Sequence, residues 1–218
     1  MKTVIITGAG GNLGAAAVSV FANAGWRVAA LVTPGKTPTS SLNGVDFYEA
    51  DLLDEAATSA LVASLWTKYG SIDVALMLVG GFESGTVADT GSEALRRMFA
   101  LNVETAYHVA RPLFTRMQAS GGHLVFVGAR PALNATAGKS LVAYGLSKSQ
   151  LFKLAEYLNA ASTVVRSHVV VFTALDTPQN RASMPTSDRA GWVAPEKVAT
   201  AILTTVTAGE STGVIEVV

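Results

Sequence analysis

The chain has 218 residues and balances 16 Lys and Arg against 16 Asp and Glu, with no basic run that would suggest a nucleic-acid partner. It has no cysteine for a disulfide or a thiolate metal site, no apolar run of the ~20 residues that cross a bilayer, and no signal-peptide pattern at its start. Half of its residues are hydrophobic, so we expect one cytoplasmic domain over residues 1–218 that binds no membrane and buries surplus apolar surface in a homodimer or larger homo-oligomer.

Strand-like apolar runs alternate with helical patterns along nearly the whole chain. This alternation predicts an α/β fold, a doubly wound (Rossmann) parallel sheet of about seven strands with helices on both faces. The predicted strands cover residues 3–7, 27–32, 45–48, 74–79, 123–127, 167–172 and 214–217. The predicted helices cover residues 12–24, 55–69, 92–119, 139–161 and 195–208, with Asp54 and Ser92 as N-caps of the second and third.

Two segments, 33–44 and 173–194, fit neither a strand nor a helix. The second segment is rich in Pro, Asp, Ser and Arg and follows the sixth predicted strand. Sheets of this class bind their ligands beyond the carboxyl ends of the strands. We therefore interpret segment 173–194 as a candidate substrate lid.

The first predicted strand ends in a glycine-rich turn that leads into the first predicted helix, and the turn reads Thr7-Gly-x-x-Gly-x-x-Gly14. In such a turn Gly8 permits a tight bend, Gly11 lets backbone approach a pyrophosphate, and Gly14 lets the helix pack closely on the strand. The free N–H groups at the helix start attract an anion. Glycine clusters also form ordinary loops, but the order strand, glycines, helix favours a dinucleotide site formed by Gly8, Gly10, Gly11, Asn12, Leu13 and Gly14.

Tyr144 and Lys148 lie one helical turn apart in Tyr-Gly-Leu-Ser-Lys, early in the fourth predicted helix. A free Tyr hydroxyl has a pKa of ~10, and a nearby ammonium lowers the pKa by favouring the phenolate. We therefore expect Tyr144 to donate or accept a proton near neutral pH. Lys148 can also hydrogen bond the ribose next to a nicotinamide. From these two residues alone, a core Tyr beside a solvated Lys is equally possible.

Two further polar residues stand at positions suited to this chemistry. Asn102 is a polar residue amid apolar neighbours inside the third predicted helix, where a solvent-facing or back-bonded Asn is the alternative. Asp51 follows the third predicted strand, where its carboxylate could accept from an adenine amino group. A helix-capping or loop Asp is the alternative there.

Taken together in order and spacing, the glycine turn, Asp51, Asn102 and Tyr144-x-x-x-Lys148 resemble the short-chain dehydrogenase/reductase family over essentially the whole chain. The resemblance implies NAD(H) or NADP(H) binding, catalysis by Tyr144 and Lys148, and a water held near the lysine by Asn102. It also implies that helices 92–119 and 139–161 pair with their copies in a dimer. The remaining cofactor contacts that it implies are Leu52, Gly80, Gly81 and Thr177.

The chain departs from the family pattern at two places. The family commonly has Asn-Ala-Gly after the fourth strand, whereas this chain has Val-Gly-Gly-Phe at residues 79–82. Ala129 stands after the fifth strand, where the family usually has a catalytic Ser. A Ser there stabilises a developing alkoxide, so its loss should make reduction of an ordinary ketone harder by ~3 kcal/mol. Thr136 or Ser140 could supply a hydroxyl from the next loop.

One branch of the family has the same departures. Residues 79–82, 128–138, 144–148 and 175–185 resemble the dihydropteridine reductase branch, and the likeness extends to the C-terminal residues. That branch reduces quinonoid dihydropterins, whose electron-poor ring accepts hydride without forming a localised alkoxide. The resemblance therefore implies hydride transfer to a small planar electron-poor substrate, most simply a quinonoid dihydropterin, with Tyr144 as proton donor. The alternatives are a reductase of another quinone, iminium or carbonyl compound, and a non-catalytic NAD(P)-binding redox sensor.

The end of the second strand bears on the choice of cofactor. NADH-using members usually place an acid there, but this chain reads Leu-Val-Thr-Pro-Gly-Lys at residues 31–36. Val32 does not repel a 2′-phosphate, and Thr33 and Lys36 could bind one. These residues favour NADPH slightly over NADH, although Lys36 is equally well explained as a solvated loop charge.

The apolar residues that flank the crevice loops are candidates for the substrate pocket. Phe82, Met184 and Trp192, together with Ala129, are expected near a flat substrate ring. Packing of the lid is the alternative for each of the three large side chains. His108, His123 and His168 lack metal-ligand spacing, so we expect no metal site and give all three structural roles, with His108 and His123 far from the crevice.

Overall fold

The fold is a parallel sheet of seven strands covered by helices on both faces. The computed structural model describes residues 1–38, 42–209 and 213–218. The strand order is β3-β2-β1-β4-β5-β6-β9, and every pairing is parallel. These strands are β1 Thr3–Thr7, β2 Arg27–Val32, β3 Val45–Glu49, β4 Val74–Met77, β5 Gly122–Val127, β6 Val165–Phe172 and β9 Gly213–Val217. The order reverses direction between β1 and β4, which is where such sheets bind ligands.

The helices divide into two layers because the strands bury apolar residues on both faces. Helices α1 Asn12–Asn23 and α9 Pro195–Ala208 cover one face, around Phe21 and Ile202. Helices α2 Glu55–Tyr69, α4 Thr105–Met117 and α7 Val142–Ala161 cover the other, around Leu65, Leu113 and Leu151. The predicted doubly wound fold is confirmed. Within the part of the chain that the structure describes, no helix has both the length and the apolar character to span a membrane.

The third predicted helix, over residues 92–119, is wrong as a single element. The structure has α3 Ser92–Phe99, a π-helical turn at Ala100–Glu104, and then α4. The predicted N-cap is wrong as well, because Gly91 is the cap and Ser92 is already helical. Asp54 is confirmed as the N-cap of α2, since its side chain accepts from the N–H of Ala57. The helix predicted from residue 139 begins at Val142, after short helices α5 Arg130–Leu133 and α6 Ala135–Gly138.

The segment 173–194 has secondary structure that its polar composition concealed. Strands β7 Ala174–Leu175 and β8 Trp192–Val193 form a parallel pair, and helix α8 Pro178–Ser183 lies between them in the chain. Thr177 caps α8 by accepting from the N–H of Asn180. Asp176 holds Arg181 through two hydrogen bonds of 2.6 and 2.7 Å. Of the other unassigned segment, residues 39–41 lie outside the described residues.

Two of the histidines, the partly buried His123 on β5 and the fully buried His168 on β6, form a pair. His123 Nδ1 lies 3.0 Å from His168 Nε2, and the two rings stack. His168 is fully buried, and burial, with the nearby charges of His123 and Arg166, lowers its pKa to about 4. Burial also lowers the pKa of His123. The pair therefore remains uncharged in the folded protein at neutral pH.

This pair predicts a loss of stability in mild acid. An unfolded His has a pKa of ~6.5, so between that value and the folded value of about 4 the unfolded chain binds more protons. We expect the contribution of His168 to be complete above the unfolded pKa and to fall by ~2 kcal/mol by pH ~5. Urea unfolding above the unfolded pKa of ~6.5 and again at pH ~5, at one protein concentration, measures this loss in the free energy of unfolding. In His168→Gln the loss should be smaller, and an equal loss in both proteins would contradict the prediction.

Candidate active site

The carboxyl ends of β1, β4 and β5 meet in a crevice at the point where the strand order reverses. Gly8 follows β1, Gly80 lies three residues beyond β4, and Ala129 lies two residues beyond β5. The predicted strand 74–79 ends early, at Met77, because the next two N–H groups turn to Thr7 Oγ1 at 2.9 and 3.4 Å. This turn directs the chain after β4 across the crevice.

The glycine turn forms a close cradle at the start of α1. Gly8 has a φ of 64°, which a side chain rarely adopts. A Cβ on Gly14 would lie 2.1 Å from the Gly8 carbonyl oxygen, so strand and helix touch through backbone. Gly11 is the N-cap of α1 and supplies no side-chain hydrogen bond, which leaves the first N–H groups of the helix available to an anion. These features fit a phosphate group.

The other predicted residues of this turn have different surroundings. Leu13 is buried in the core, and Gly10 has open space around it. The exposed Asn12 donates from Nδ2 to Gln179 Oε1 at 3.1 Å, and so connects α1 to α8 in the predicted lid. The structure thus joins the glycine turn to the lid through one hydrogen bond between side chains.

A cavity of about 290 Å³ continues from the glycine turn towards β2 and β3. The Asp51 carboxylate accepts from the N–H of Leu53 at 3.0 Å, so one of its oxygens already accepts a hydrogen bond within the local turn. The Leu52 carbonyl bonds to His108 Nδ1 at 2.8 Å. His108, which was expected far from the crevice, thus contacts the backbone of a residue that lines this cavity, although its own side chain is not part of the lining. The cavity is lined by Gly8, Leu31, Val32, Thr33, Pro34, Ala50, Asp51, Leu52, Leu53, Val79, Leu101 and Thr105.

Thr33 and Lys36 lie in a tight exposed turn after β2. The Lys36 N–H donates to the Thr33 carbonyl at 3.0 Å, and Gly35 provides the positive φ of 73° that the turn needs. Thr33 lines the cavity, whereas Lys36 extends from the turn into solvent. Neither Val32 nor Thr33, at the end of β2, is acidic, whereas Asp51 lines the same cavity from the β3 side and Glu49 pairs with Val32.

Lys148 is buried, only 4% exposed, on the inner side of α7. Its Nζ donates to the carbonyl of Val127, at the end of β5, at 2.9 Å. Burial lowers the pKa of Lys148 to about 8. The alternative of a solvated lysine is therefore wrong, and the amine is fixed at the base of the crevice.

Tyr144 lies one turn before Lys148 on α7, in its first turn. The expectation that Lys148 lowers the Tyr pKa is wrong, because burial raises the pKa of Tyr144 to about 12. The Lys148 Nζ lies 5.9 Å from the centre of the Tyr ring and gives a hydrogen bond to Val127 instead. Burial, which withdraws water from the phenol and disfavours the charged phenolate, is the cause of this raised pKa. In this state Tyr144 carries its proton at neutral pH.

Asn102 stands on the π-helical turn and is fully buried. Its Oδ1 accepts from the Gly81 N–H at 2.9 Å, and its Nδ2 donates to the Gly81 carbonyl at 3.1 Å and to Ser147 Oγ at 2.9 Å. A Cβ on Gly80 would lie 2.6 Å from Asn102 Oδ1 and 3.2 Å from Lys148 Nζ. The amide of Asn102 and the amine of Lys148 thus meet beside Gly80. The predicted water-holding role of Asn102 stays a prediction.

Phe82 borders the phenol, and Ala129 follows β5 on the strand side of the crevice. The Phe82 ring lies edge-on to the Tyr144 ring, with centres 5.0 Å apart, although Phe82 is 67% exposed. Ala129 is buried and ends the strand side of the crevice without a hydroxyl. The structure therefore places Phe82 against Tyr144, the position usually held by Ser is apolar, and the predicted role of Phe82 in a substrate pocket stays a prediction.

The predicted lid residues have other contacts. The buried hydroxyl of Thr177 is used in capping α8. Met184 ends α8 partly exposed, and Trp192 lies under the Arg189 guanidinium, 5.6 Å from its ring centre. No ring contact joins Trp192 to Tyr144 or Phe82 among the described residues. Roles for these residues in binding cofactor or substrate stay predictions.

The sequence analysis missed three polar contacts of the crevice. Ser147 supports Asn102, Gln179 accepts from Asn12, and Glu83 binds Arg97 beside Phe82. Ser147 could have been found, because it lies inside the Tyr144-to-Lys148 motif, directly before Lys148 on the buried side of α7. The partners of Gln179 and Glu83 are distant in the sequence, and no local pattern connects them.

Comparisons with known proteins bear on the family and the fold. Residues 2–188 match the family model described as short chain dehydrogenase. The chain is 25% identical over 215 residues to Dihydropteridine reductase of Dictyostelium discoideum, covering 91% of this chain and 84% of that protein. It is 28% identical over 137 residues to Elsinochrome reductase 1 of Elsinoe fawcettii, covering 58% of this chain and only 50% of the relative's length.

The fold is also that of a solved structure, ElxO with NADP bound. The TM-score is 0.87, and the superposition covers 99% of this chain and 96% of that chain. Sequence identity is 18%, so this likeness concerns the fold alone.

Proposed function

The chain belongs to the short-chain dehydrogenase family, and from that premise we propose that it is an NAD(P)H-dependent reductase of a small planar electron-poor substrate. The substrate we propose is a quinonoid dihydropterin. The observation that carries the proposal is the protonated Tyr144 phenol, set between the buried Lys148 amine and the exposed Phe82 ring, with Ala129 in place of a hydroxyl. A site without that hydroxyl suits a substrate that forms no localised alkoxide.

The cofactor fits the chain through the glycine turn and the adjoining cavity. The N–H groups at the start of α1 would hold the pyrophosphate, because no side chain caps them and no Cβ fills the space. Asp51 and Leu52 would contact the adenine end, and Gly80 and Gly81 the nicotinamide end. A nicotinamide held there would supply the hydride to one atom of the substrate.

The residues of the chain manage the proton that accompanies the hydride. Tyr144 donates its hydroxyl proton to the substrate atom that gains electron density, so that the substrate gains one hydride and one proton in total. Lys148 stabilises the resulting phenolate as an ammonium and would hydrogen bond the ribose. Asn102 keeps Gly81 and Ser147 in place around these groups. The Tyr proton is then restored from solvent.

The residues after β2 favour NADPH over NADH. A 2′-phosphate at the Thr33 end of the cavity would gain a charge-assisted hydrogen bond from Lys36. We expect Lys36→Ala to weaken NADPH binding ~10-fold and to leave NADH binding within ~2-fold, since such a bond contributes ~1.5 kcal/mol. Fluorescence titration with both cofactors measures the two dissociation constants.

A matched change at the same turn provides the reverse test. Thr33→Asp places a carboxylate at the cavity wall, where it repels a 2′-phosphate and can accept from ribose hydroxyls. We expect the preference to turn to NADH. Equal weakening of both cofactors by Lys36→Ala would show that Lys36 does not select the phosphate.

The substrate is tested with purified protein, both cofactors, a quinonoid dihydropterin and a simple quinone. Turnover of the pterin supports the proposal, and turnover of the quinone alone supports the second candidate, a quinone reductase on the same site. The relative named Elsinochrome reductase 1 is a reductase by name, which favours that second candidate over a redox sensor. Tight NADPH binding with no turnover of any substrate would favour the sensor.

We also propose that residues 1–218 act as one domain and assemble as a homodimer through the helical regions 92–119, which include α3 and α4, and 139–161, which include α7. A groove between α3 and α7 supports this assembly, because large apolar side chains remain exposed there among the described residues. They include Leu95, Phe99 and Leu146, which are 38%, 36% and 53% exposed. The mass in solution by sedimentation tests it, and a monomer at micromolar concentration would refute it.

A further inference from the structure

The segment from Gly81 to Gly85 crosses the mouth of the crevice and is anchored at both ends. At one end, Gly81 exchanges two hydrogen bonds with the Asn102 side chain. At the other, the Gly85 N–H donates to the Ser140 carbonyl at 2.8 Å, and its carbonyl accepts from the N–H of Val142 at 3.0 Å. Val142 is the first residue of α7, two residues before Tyr144. The segment is thus tied directly to the helix that carries the phenol.

A third anchor lies between these two. Arg97, on α3, donates from Nη2 to both carboxylate oxygens of Glu83 at 2.8 Å and from Nε to Oε2 at 3.1 Å. Arg97 Nη1 also reaches Glu93 at 3.4 Å, which keeps the guanidinium oriented towards the segment. A planar guanidinium that binds a carboxylate through two nitrogens fixes its orientation as well as its distance.

Phe82 lies between the first and third anchors and needs them to hold its position. Its side chain is 67% exposed, so little of its apolar surface is buried to keep it in place. Its ring nevertheless meets the Tyr144 ring edge-on at 5.0 Å. An exposed aromatic side chain on an unanchored loop would sample several rotamers. The backbone anchors on either side restrict it.

We infer that Glu83 and Arg97 are positioning residues that hold Phe82 as a fixed aromatic wall beside Tyr144. The catalytic consequence rests on the proposed function, because the wall would contact the substrate that receives the proton. A flat ring can stack or pack edge-on against the open face of Phe82, whereas a bent aliphatic substrate gains little from it. The pair therefore acts on substrate selection. Exposed ion pairs contribute little to global stability, so the fold does not depend on the Glu83–Arg97 pair.

The first measurement is steady-state kinetics of Glu83→Gln with the planar substrate that the wild-type protein turns over. We expect KM to rise about 5- to 10-fold, kcat to change less than 2-fold, and NADPH affinity to stay unchanged. KM rises because the segment must become ordered each time substrate binds, and the conformational entropy that it then loses weakens binding. Lys68→Gln is the matched control, since it breaks another exposed pair, Lys68–Asp46 at 2.9 Å, which joins α2 to β3 away from the crevice and from the proposed dimer helices. The control should leave KM and kcat unchanged.

Two further variants show whether the pair acts through Phe82. In a Phe82→Leu background, Glu83→Gln should add no further rise in KM, because the side chain that it positions is already gone. The exchanged pair Glu83→Arg with Arg97→Glu should restore much of the wild-type KM. Fully additive effects of Phe82→Leu and Glu83→Gln would overturn the inference.

Hydrogen exchange keeps the inference separate from the proposed function. In the wild-type protein the amides of residues 82–90 should exchange more slowly than in Glu83→Gln, whatever the protein reduces. If no planar substrate is turned over, the proposed function fails, while faster exchange in Glu83→Gln still supports the positioning role of Glu83 and Arg97. If exchange in residues 82–90 is the same in both proteins, that positioning role is overturned even where the wild-type enzyme is active.

Discussion

Replacing Tyr144 with Phe is expected to lower kcat for the reductase reaction by ~100- to 10,000-fold, because the change removes the proton donor and leaves the ring in place. The Phe82 ring would still pack against it, since that contact involves ring carbons. Cofactor affinity should change little, because the N–H groups of the glycine turn and the cavity beside β2 and β3 lie elsewhere. The measurement is kcat beside an NADPH titration of the same preparation.

The pH dependence of the wild-type enzyme is part of the same prediction. Burial raises the pKa of Tyr144 to about 12, so the donor stays protonated through the neutral range. Burial lowers the pKa of Lys148 to about 8, so the ammonium that stabilises the phenolate is lost as the pH rises through that value. We expect kcat/KM to be level at lower pH and to fall above pH about 8. If the Tyr144→Phe variant bound the cofactor and turned over substrate at the wild-type rate, Tyr144 would be excluded as the proton donor.

Gly14→Ala is expected to abolish cofactor binding and to destabilise the fold. The new Cβ would stand 2.1 Å from the Gly8 carbonyl oxygen and 2.7 Å from the Ala9 Cα, both of them backbone atoms. Strand and helix must then separate, which costs ~1–3 kcal/mol or more and opens the cradle for the pyrophosphate. We expect NADPH affinity to fall at least ~100-fold, from the loss of two or more hydrogen bonds, together with a lower Tm.

Gly10→Ala is the matched control in the same turn. A Cβ there has only Val32 Cγ1 near it, at 4.0 Å, and Gly10 has no positive φ. We expect Tm within a few degrees of the wild-type value and NADPH affinity within ~3-fold. If Gly14→Ala behaves like Gly10→Ala, the close contact of α1 and β1 does not control the cradle.

The strands and most helices could be predicted from the sequence because their signals are local. The apolar runs of β1 and β2 and the Asp54 cap identify their elements within a few residues. The class of fold could be predicted as well, since parallel strands joined by helices form a doubly wound sheet. Tyr144 and Lys148 were found for the same reason, as their spacing on a helix is itself a local pattern.

The electrostatics of the site could not be predicted, because they depend on burial. The Tyr144–Lys148 spacing indicates an attraction, but the depth of the crevice decides that the Tyr pKa rises. The contact of His108 with Leu52 and the Glu83–Arg97 pair join residues that are 56 and 14 positions apart. No periodicity connects such pairs, so only the folded chain reveals them.

The wide turn at Ala100–Glu104 acts like one additional residue in an otherwise regular helix. Each residue rotates the following side chains by about 100° around the axis, so the apolar stripes of α3 and α4 are out of phase. A single-residue deletion in this turn would leave one straight helix. Either Asn102 would then point away from Gly81, or the side chains that follow would rotate off the sheet. The length of this region, counted in residues, is therefore as constrained as its composition, and an indel there should be more harmful than most point substitutions.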